Sequence, residues 1–339
     1  MIKKDRYDIA VIGATSLVGR EVANVLRERQ FPLATCRLFD TFDALADADP
    51  DDADPVEDVE RADLRGVDLA FLCGNAALSR AWAPRGHGAG AAVIDLTQAF
   101  ADSAEVPLVV PEVNPDAASL SGGRGIVASP SPGAIALCVV LNPLRAAGLR
   151  RVVVAGYESV SSAERAGIEE LSRQTAELMN GRDTEVSVFP HRIAFNVIPQ
   201  VSDFLSDGDS RAECEIVSQT RRVLSEPTLR GTATVARVPI FFGQGYAVNV
   251  ELAGELSADA ARSLLREAPG ILLTDEPSTG GYPTVADALT AEAIRVGRVR
   301  RDPSVASGLN LWITIDGLRK GAAVNGVQIA ELLVGHLVI

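Results

Sequence analysis

Apolar residues in the first third of the chain fall into short runs separated by amphipathic stretches. Four of these runs predict buried parallel strands, over residues 9–12, 36–39, 69–73 and 91–95. Apolar side chains at helical spacing follow the first run, and residues 78–83 predict another helix before the fourth. This strand–helix alternation indicates an α/β fold with a doubly wound, Rossmann-type parallel sheet.

The pattern changes near residue 130, where a second domain is expected. Residues 134–144 predict an apolar helix after Ser131 and Pro132, because serine is favoured as an N-cap and proline in the first turn. Further helices are predicted over 163–179, 257–266 and 321–337, and strands over 151–159, 232–241, 247–252, 293–299 and 309–315. The strands over 232–241 and 247–252 alternate as antiparallel strands do. A length of 339 residues also favours two domains, because one core usually stops growing at about 250–300 residues.

Acidic residues concentrate between Asp40 and Asp68, where twelve carboxylates accompany only two arginines. Residues 43–58 within that stretch predict a solvated loop. The net charge of the chain is −13, and an acidic chain without a basic stripe repels phosphate backbones. We therefore expect no nucleic-acid partner.

Cysteine and histidine spacing predicts neither disulfides nor a metal site. The four cysteines lack C-x-x-C spacing, and the three histidines are scattered. The first apolar run is too short for a signal or membrane-spanning segment. These patterns favour a cytoplasmic protein with reduced cysteines, no metal and no membrane partner.

A candidate dinucleotide-binding loop joins the first predicted strand to the first helix. Residues 13–19 read G-A-T-S-L-V-G, and such a loop can hold a pyrophosphate against helix N–H groups. Gly13 allows the tight turn and Gly19 allows close helix packing, with Thr15 and Ser16 between them. The competing interpretation is a Rossmann turn that no longer holds a nucleotide.

Asp40 ends the second predicted strand, where a carboxylate can bond a ribose 2′-OH and repels a 2′-phosphate. If a dinucleotide binds, NAD is therefore favoured over NADP. The alternative is that Asp40 only begins the acidic stretch.

Several longer segments carry a resemblance to a known family. Residues 126–137 read I-V-A-S-P-S-P-G-A-I-A-L, which resembles the I-A-N-P-N-C-S-T-I segment of aspartate-semialdehyde dehydrogenases. Further similar segments are residues 106–114, 193–200, 237–239, 308–312 and 318–323. The resemblance implies a dinucleotide-binding domain, residues 1–130 plus the C-terminal helix 320–339. It also implies a catalytic-type α+β dimerisation domain, residues 131–319, through which the chain forms a homodimer.

The family's reaction needs a cysteine thiolate, NADP as hydride acceptor, and phosphate. The resemblance places Pro132 at the nucleophilic cysteine, Gln244 at the acid–base histidine, and Glu158 at the glutamine that positions the acyl group. Proline has no nucleophile, and glutamine cannot shuttle a proton near neutral pH. Of the catalytic set, only the substrate-carboxylate arginine is clearly retained, as Arg237.

Other positions of the family's site are also changed. Ala101 stands for an anion-binding arginine, Gln219 for a glutamate, and Ser162 and Glu164 for glycines near the nicotinamide. Removing members of a cooperating catalytic unit leaves little for the rest to do. The chain is most similar to the Usg-like homologues, which lack the catalytic cysteine.

Three functions follow as hypotheses. The first is a homologue without dehydrogenase activity, a dimeric binding or scaffold protein for which no cofactor is required. The second is an active NAD(P)-dependent oxidoreductase that acts on a small aldehyde or semialdehyde without a cysteine, with Glu158 as base. The third is a metabolite sensor in which Arg237 holds a small carboxylate. An ion pair of Arg237 within the second domain is the competing interpretation for that residue.

Overall fold

The chain divides into two compact units in the computed structural model, which describes residues 4–46, 54–276 and 278–337, without the side chains of 120–124. One unit is formed by Met1–Ser131 and Ala322–Ile339, and the other by Pro132–Gly321. Within the described residues, no helix is long and apolar enough to cross a membrane.

A six-stranded parallel sheet forms the centre of the first unit. Its strands are β1 (Tyr7–Ile12), β2 (Leu33–Asp40), β3 (Val56–Asp58), β4 (Leu69–Leu72), β5 (Ala92–Asp95) and β6 (Ile126–Ala128). The strand order is β3-β2-β1-β4-β5-β6, which is the doubly wound order of dinucleotide-binding folds. The predicted Rossmann-type sheet is therefore confirmed.

Four helices belong to the first unit: α1 (Leu17–Glu28), α2 (Phe42–Ala46), α3 (Ala76–Gly88) and, after the second unit, α8 (Asn325–Val334). Val22, Val25 and Leu26 on α1 are fully buried. A two-pronged ion pair joins the end of α1 to α8, with Arg29 Nε and Nη2 each 2.8 Å from a carboxylate oxygen of Glu331. Because Glu331 is 1% exposed, this pair holds the last helix against the first.

Residues 43–58, predicted to form a solvated loop, are regular structure at both described ends, although their side chains there are exposed or half-buried. Helix α2 lies at their start, and β3 pairs in parallel with β2 at their end, with Val56 opposite Leu38. The loop prediction is wrong at these two ends. The edge strand β3 pairs with β2, and its acidic side chains do not prevent this pairing. Residues 47–53 lie outside the described residues.

A mixed six-stranded sheet forms the second unit. Its strands are β7 (Leu149–Glu158), β8 (Arg230–Arg237), β9 (Gln244–Leu252), β10 (Ile271–Leu273), β11 (Ile294–Arg301) and β12 (Gly308–Ile315), in the order β10-β11-β12-β9-β7-β8. Its helices are α4 (Pro132–Leu141), α5 (Glu164–Met179), α6 (Arg211–Val223) and α7 (Ala258–Glu267). Helices α4, α6 and α7 contact the sheet, which confirms an α+β unit.

Local structure in the second unit and at the last helix differs from the predictions in three ways. Strand β8 ends at Arg237 rather than 241, and it pairs in parallel with β7, while β9 pairs antiparallel with the other edge of β7. Helix α6 was not predicted. The last helix does not begin as a regular α-helix at 321, because Arg319–Val324 form π-helical turns before α8.

Gly13 and Gly66 offer a test of what the loop after β1 requires. Both have φ near +83°, but a methyl on Gly13 would lie 2.1 Å from the backbone nitrogen of Gly74, and one on Gly66 would meet nothing within 4 Å. We expect Gly66→Ala to cost about 1–2 kcal/mol through its backbone alone. Gly13→Ala should cost at least about 2 kcal/mol more, because the close approach of the two backbones must open.

The measurement is the free energy of unfolding in urea for both variants and the wild type. Equal losses in the two variants would contradict the close approach at Gly13.

Candidate functional site

The loop after β1 is built tightly around its two glycines. The Ser16 side chain caps α1 by accepting a hydrogen bond from the Gly19 N–H at 3.0 Å, and its oxygen lies 2.7 Å from the Gly13 carbonyl. A methyl on Gly19 would lie 2.3 Å from that same carbonyl oxygen. The loop therefore needs glycine at both positions, and it presents the N-terminus of a twelve-residue helix, as a phosphate-binding turn does.

Asp40 holds this loop in place. One carboxylate oxygen accepts hydrogen bonds from the Thr15 N–H at 2.9 Å and the Thr15 hydroxyl at 2.7 Å, and the other accepts from the Thr41 N–H at 2.8 Å. Asp40 is 4% exposed. The structure thus brings the four predicted loop residues together with Asp40 and gives Asp40 a structural role that the sequence did not reveal.

Two further groups of the first unit, each a potential nucleophile, lie in structural positions. Cys73 is buried in the core cluster, and its carbonyl lies 3.1 Å from the Ser16 hydroxyl. Ser129 is 1% exposed, and its hydroxyl accepts a hydrogen bond from Asn325 Nδ2 at 2.8 Å. Among its described contacts in this unit, the Ser129 hydroxyl has no general base.

Three predicted site residues form one row across the second sheet. Glu158 at the end of β7 is paired in register with Arg237 on β8 and with Gln244 on β9. Adjacent residues in a row share one face of the sheet. The structure therefore assembles these three side chains from segments that are far apart in sequence.

Tyr246 lies next to this row, two residues along β9 from Gln244, and was missed at the level of sequence. Its hydroxyl is 2.8 Å from Gln244 Oε1 and 3.3 Å from Glu158 Oε1, and the ring is fully buried. A phenol has one proton, so it can donate to only one of these oxygens at a time. The available signal was its position two residues after Gln244, on the same face of β9.

Burial controls protonation in this cluster. It raises the pKa of the Glu158 carboxyl, while the Arg237 charge and the Tyr246 hydrogen bond oppose the rise. Burial, together with Glu158, raises the pKa of Tyr246 well above 10. Tyr246 is therefore a neutral donor, and Glu158 takes up a proton more readily than an ordinary glutamate.

The cluster borders the start of α4, which begins at Pro132 as predicted. A methyl on Gly133 would lie 3.0 Å from the Tyr246 hydroxyl, and one on Gly321 would lie 2.6 Å from Cβ of Pro132. Pro132 offers no nucleophile at this helix start. Its pyrrolidine ring also packs against Gly321, so the ring occupies the space at the start of α4.

The two cysteines of the second unit lie elsewhere. Cys138 is fully buried in α4, where burial raises the pKa of its thiol to about 12 and Thr220 is its partner. Cys214 on α6 lies beside Asp209, and burial and the neighbouring acidic groups raise its pKa. A raised pKa disfavours the thiolate, so neither thiol is activated.

Arg237 is held by neutral acceptors. Its Nη1 donates to the Ser159 carbonyl at 3.0 Å and to the Ser162 hydroxyl, and Nη2 donates to the Val201 carbonyl at 3.0 Å. The guanidinium also lies 5.1 Å from the Phe189 ring centre. In the part of the chain that the structure describes, no carboxylate lies within 4 Å of it, so the predicted alternative of an ion pair is wrong.

The remaining positions at which the sequence resemblance implies a substitution have ordinary settings. Gln219 is buried on α6, Ser162 accepts from Arg237, Glu164 begins α5 with φ +56°, and Ala101 is buried. Across residues 4–46, 54–276 and 278–337, no three His, Cys, Asp or Glu side chains converge to hold a metal ion.

Comparison with known proteins matches both units. A family model described as "Semialdehyde dehydrogenase, NAD binding domain" matches residues 8–121, and one described as "Semialdehyde dehydrogenase, dimerisation domain" matches residues 141–320. The chain is 39% identical to the aspartate-semialdehyde dehydrogenase of Legionella pneumophila over 334 residues, covering 96% of this chain and 95% of that protein.

Solved structures show the same similarity. The crystal structure of aspartate semialdehyde dehydrogenase II from Vibrio cholerae has a TM-score of 0.92 and 39% identity, covering 97% of this chain and 99% of that one. The probable aspartate-semialdehyde dehydrogenase of Pseudomonas aeruginosa has a TM-score of 0.90 and 36% identity, covering 98% and 99%. The expectation that no cofactor is required is not supported, because the first unit matches an NAD binding domain.

Glu158→Gln tests the protonation assigned to the cluster. When folding raises the pKa of a carboxyl, the folded state loses stability as the pH rises from the unfolded pKa, 4.5, through the raised folded pKa. Glutamine keeps the size and has no charge to bury. We expect the variant to be more stable than wild type at about pH 8, with the difference shrinking as the pH falls through the raised pKa towards 4.5 and staying constant below that pH.

The measurement is the urea midpoint and slope of unfolding across that pH range. Glu255→Gln, at an exposed position, is the control for loss of one surface carboxylate. A Glu158→Gln protein less stable than wild type at the alkaline end would contradict a carboxyl with a raised pKa.

Proposed function

The chain belongs to the aspartate-semialdehyde dehydrogenase family, and from that premise we propose that it is a member without dehydrogenase activity that binds a small carboxylate as a homodimer. It corresponds to the Usg-like homologues that lack the catalytic cysteine. The observation that carries this proposal is the start of α4. There Pro132 occupies the nucleophile's position, and Gln244 and Tyr246 form a neutral hydrogen bond beside it.

Covalent catalysis at this helix start needs a thiolate and a group that shuttles protons. Pro132 provides no thiolate, and the amide of Gln244 does not titrate. Cys138 lies within α4 with its pKa raised to about 12, so it does not substitute for the missing sulfur. The chain therefore lacks the reacting groups of the family's covalent mechanism, while the fold around them is retained.

Arg237 is the proposed anchor for the carboxylate. A guanidinium has five N–H donors, and three hydrogen bonds engage its Nη1 and Nη2 groups. The Nε–H has no acceptor among the described residues. Because Arg237 is 5% exposed and has no carboxylate partner among the described residues, its charge favours the binding of an anion.

A nucleotide is the proposed ligand of the first unit, in line with its similarity to an NAD binding domain. The turn at Gly13 and the start of α1 beyond Ser16 support a pyrophosphate, because they present the N-terminus of a twelve-residue helix, whose N–H groups and dipole favour an anion. A bound nicotinamide would supply a hydride acceptor. Asp40 at the end of β2 supports NAD over NADP, since a carboxylate there repels a 2′-phosphate.

The homodimer is proposed to form through the second unit, which matches a dimerisation domain. Seven large hydrophobic residues are exposed between positions 179 and 205: Met179, Val186, Val188, Phe195, Val197, Phe204 and Leu205. Exposed apolar surface of this density is typical of a protein interface. A cytoplasmic location without nucleic-acid or membrane partners stays part of the proposal.

The alternative function is an active NAD(P)-dependent oxidoreductase for a small aldehyde or semialdehyde. Glu158 favours it, because a carboxyl with a raised pKa can accept or donate a proton nearer neutral pH. A metabolite sensor that uses the same Arg237 contact is a variant of the binding hypothesis.

The activity assay separates these functions. With aspartate semialdehyde, NADP and phosphate, and again with NAD, we expect no reduced nucleotide above background, because no nucleophile starts α4. The Vibrio cholerae aspartate-semialdehyde dehydrogenase II is the positive control. Turnover that Glu158→Gln or Ser131→Ala abolishes would overturn the proposal and favour the oxidoreductase.

Nucleotide titration tests the first unit. We expect NAD to bind at least about fivefold more tightly than NADP, because Asp40 repels the additional phosphate. Asp40→Asn should narrow that ratio, while Asp102→Asn, at an exposed position of the same unit, should leave it unchanged. Calorimetry provides the affinities and circular dichroism checks the fold. Failure of both nucleotides to bind below millimolar concentration would contradict a nucleotide site.

A further inference from the structure

Glu158 and Arg237 are neighbours in the sheet of the second unit that do not form an ion pair. They are paired in register on β7 and β8, so their side chains share one face of the sheet. In the part of the chain that the structure describes, the Glu158 carboxyl has one hydrogen-bond partner, the Tyr246 hydroxyl at 3.3 Å. No nitrogen of Arg237 lies within 4 Å of that carboxyl there. An acidic and a basic group thus lie side by side with separate partners.

The partners of Arg237 leave its charge uncompensated. Its Nη1 and Nη2 groups donate to two carbonyls and one hydroxyl, none of which carries a charge. The Phe189 ring lies over the guanidinium, with its centre 5.1 Å away. A guanidinium that is 5% exposed and has only neutral acceptors favours an anion, and that anion would arrive next to Glu158.

A ligand carboxylate at Arg237 forms a like-charge pair with an ionised Glu158. Two carboxylates close to one cation oppose each other's ionisation, so the pair retains a proton to a higher pH than either group does alone. The ligand has the guanidinium as its donor, whereas Glu158 has a single phenol. Glu158 is therefore the group that holds the proton, and the geometry links the occupancy of Arg237 to the protonation of Glu158.

The side chains around Glu158 accommodate this proton without a further partner. A protonated Glu158 donates to the Tyr246 oxygen, and the Tyr246 hydroxyl then donates to Gln244 Oε1 at 2.8 Å. When Glu158 is ionised, the phenol has one proton for two acceptor oxygens, and one of these oxygens loses its donor. The hydrogen bonds of the cluster thus favour the neutral form of Glu158.

Other charged groups around the row have partners of their own. On α6, the Glu213 carboxylate accepts hydrogen bonds from two backbone N–H groups, at 2.7 and 2.9 Å, and although burial opposes the change, these bonds lower the pKa of Glu213. After β12, the Asp316 carboxylate accepts hydrogen bonds from two backbone N–H groups of the next turn, both at 3.0 Å. Helix α4 carries no charged side chain, and Glu164 and Arg165 at the start of α5 are exposed. Glu158 is therefore the group that the charge of a ligand protonates.

Burial acts on Glu158 in the same direction as the ligand. It raises the pKa of this carboxyl in the free protein, against the Arg237 charge and the Tyr246 hydrogen bond. Glu158 therefore ionises at a higher pH than an ordinary glutamate even before a ligand arrives, and a second anion shifts its ionisation further upward.

We propose, on the basis of the carboxylate function assigned to Arg237, that the site binds its ligand together with one proton, which Glu158 takes up from solvent and returns when the ligand leaves. Between the pKa of Glu158 in the free protein and its higher pKa in the complex, the affinity weakens as the pH rises. Above the second value the affinity levels off. The site thus retains a carboxylate under acid conditions and releases it as the pH rises.

Trifluoroacetate is a suitable probe of this coupling, because it stays an anion at every pH at which the protein is folded, so only the protein titrates. Fluorine NMR detects its binding even when the affinity is weak. The dissociation constant is measured at constant ionic strength from about pH 5 to about pH 9, above the ordinary range of a glutamate. We expect the affinity to fall at least about fivefold across this range, because an ionised Glu158 repels the probe.

Glu158→Gln removes the titrating group and keeps its size. We expect this variant to bind the probe with one affinity across the range, at least as tightly as the wild type does at the alkaline end. Glu255→Gln, at an exposed position, and His191→Asn, in the segment that carries Phe189, should keep the pH dependence of the wild type. The second control is needed because histidine ordinarily changes its charge between about pH 5 and about pH 8.

Arg237→Gln, with circular dichroism as the check of its fold, should remove the pH-dependent binding, and binding retained in that folded variant would overturn both the site and the coupling. A wild-type affinity that does not change with pH, or a pH dependence that persists in Glu158→Gln, would overturn the proton coupling while the carboxylate site stands. Absence of trifluoroacetate binding at every pH would overturn the carboxylate site itself, and the coupling with it.

Discussion

The buried guanidinium of Arg237 is the interaction on which the site of the second unit depends. It joins three segments through the Ser159 and Val201 carbonyls and the Ser162 hydroxyl, and it lies over the Phe189 ring. Removing such a charge from water costs several kcal/mol, which these hydrogen bonds offset only in part. Because no carboxylate lies within 4 Å of it in the described structure, a positive charge is held at the end of β8.

Glu158 lies near this charge, and yet its burial makes its carboxyl reluctant to ionise. Attraction by Arg237 lowers the pKa of Glu158, but burial raises it more. A protonated Glu158 could donate to the Tyr246 oxygen, which leaves the phenol proton for Gln244. The cluster is then satisfied without any net negative charge, and an incoming carboxylate meets Arg237 without a competing anion.

Local patterns predicted what depends on local chemistry. The apolar runs marked β1, β4 and β5, because parallel strands are buried on both faces, and Pro132 marked the first residue of α4. The pairing of β8 with β7 could not be predicted, since it joins residues about 80 positions apart and leaves no trace in either strand's alternation. The irregularity of β11 between Gly297 and Arg300 was equally hidden, because the residue with positive φ there, Arg298, is not a glycine. Asp40 was located correctly on β2, but only the structure shows that its oxygens hold the Thr15 loop.

The retained and the lost residues of the site differ in what else they do. Arg237 also holds three segments of the second unit, and Asp40 and Gly13 also hold the loop of the first, so their removal would disturb packing as well as chemistry. A nucleophile and a proton shuttle act on substrate alone, and their positions can be filled by Pro132 and Gln244 while the helix and the sheet row stay intact. Under the proposed function, fold and chemistry are therefore separable, and the chain keeps a TM-score of 0.92 to an aspartate-semialdehyde dehydrogenase structure.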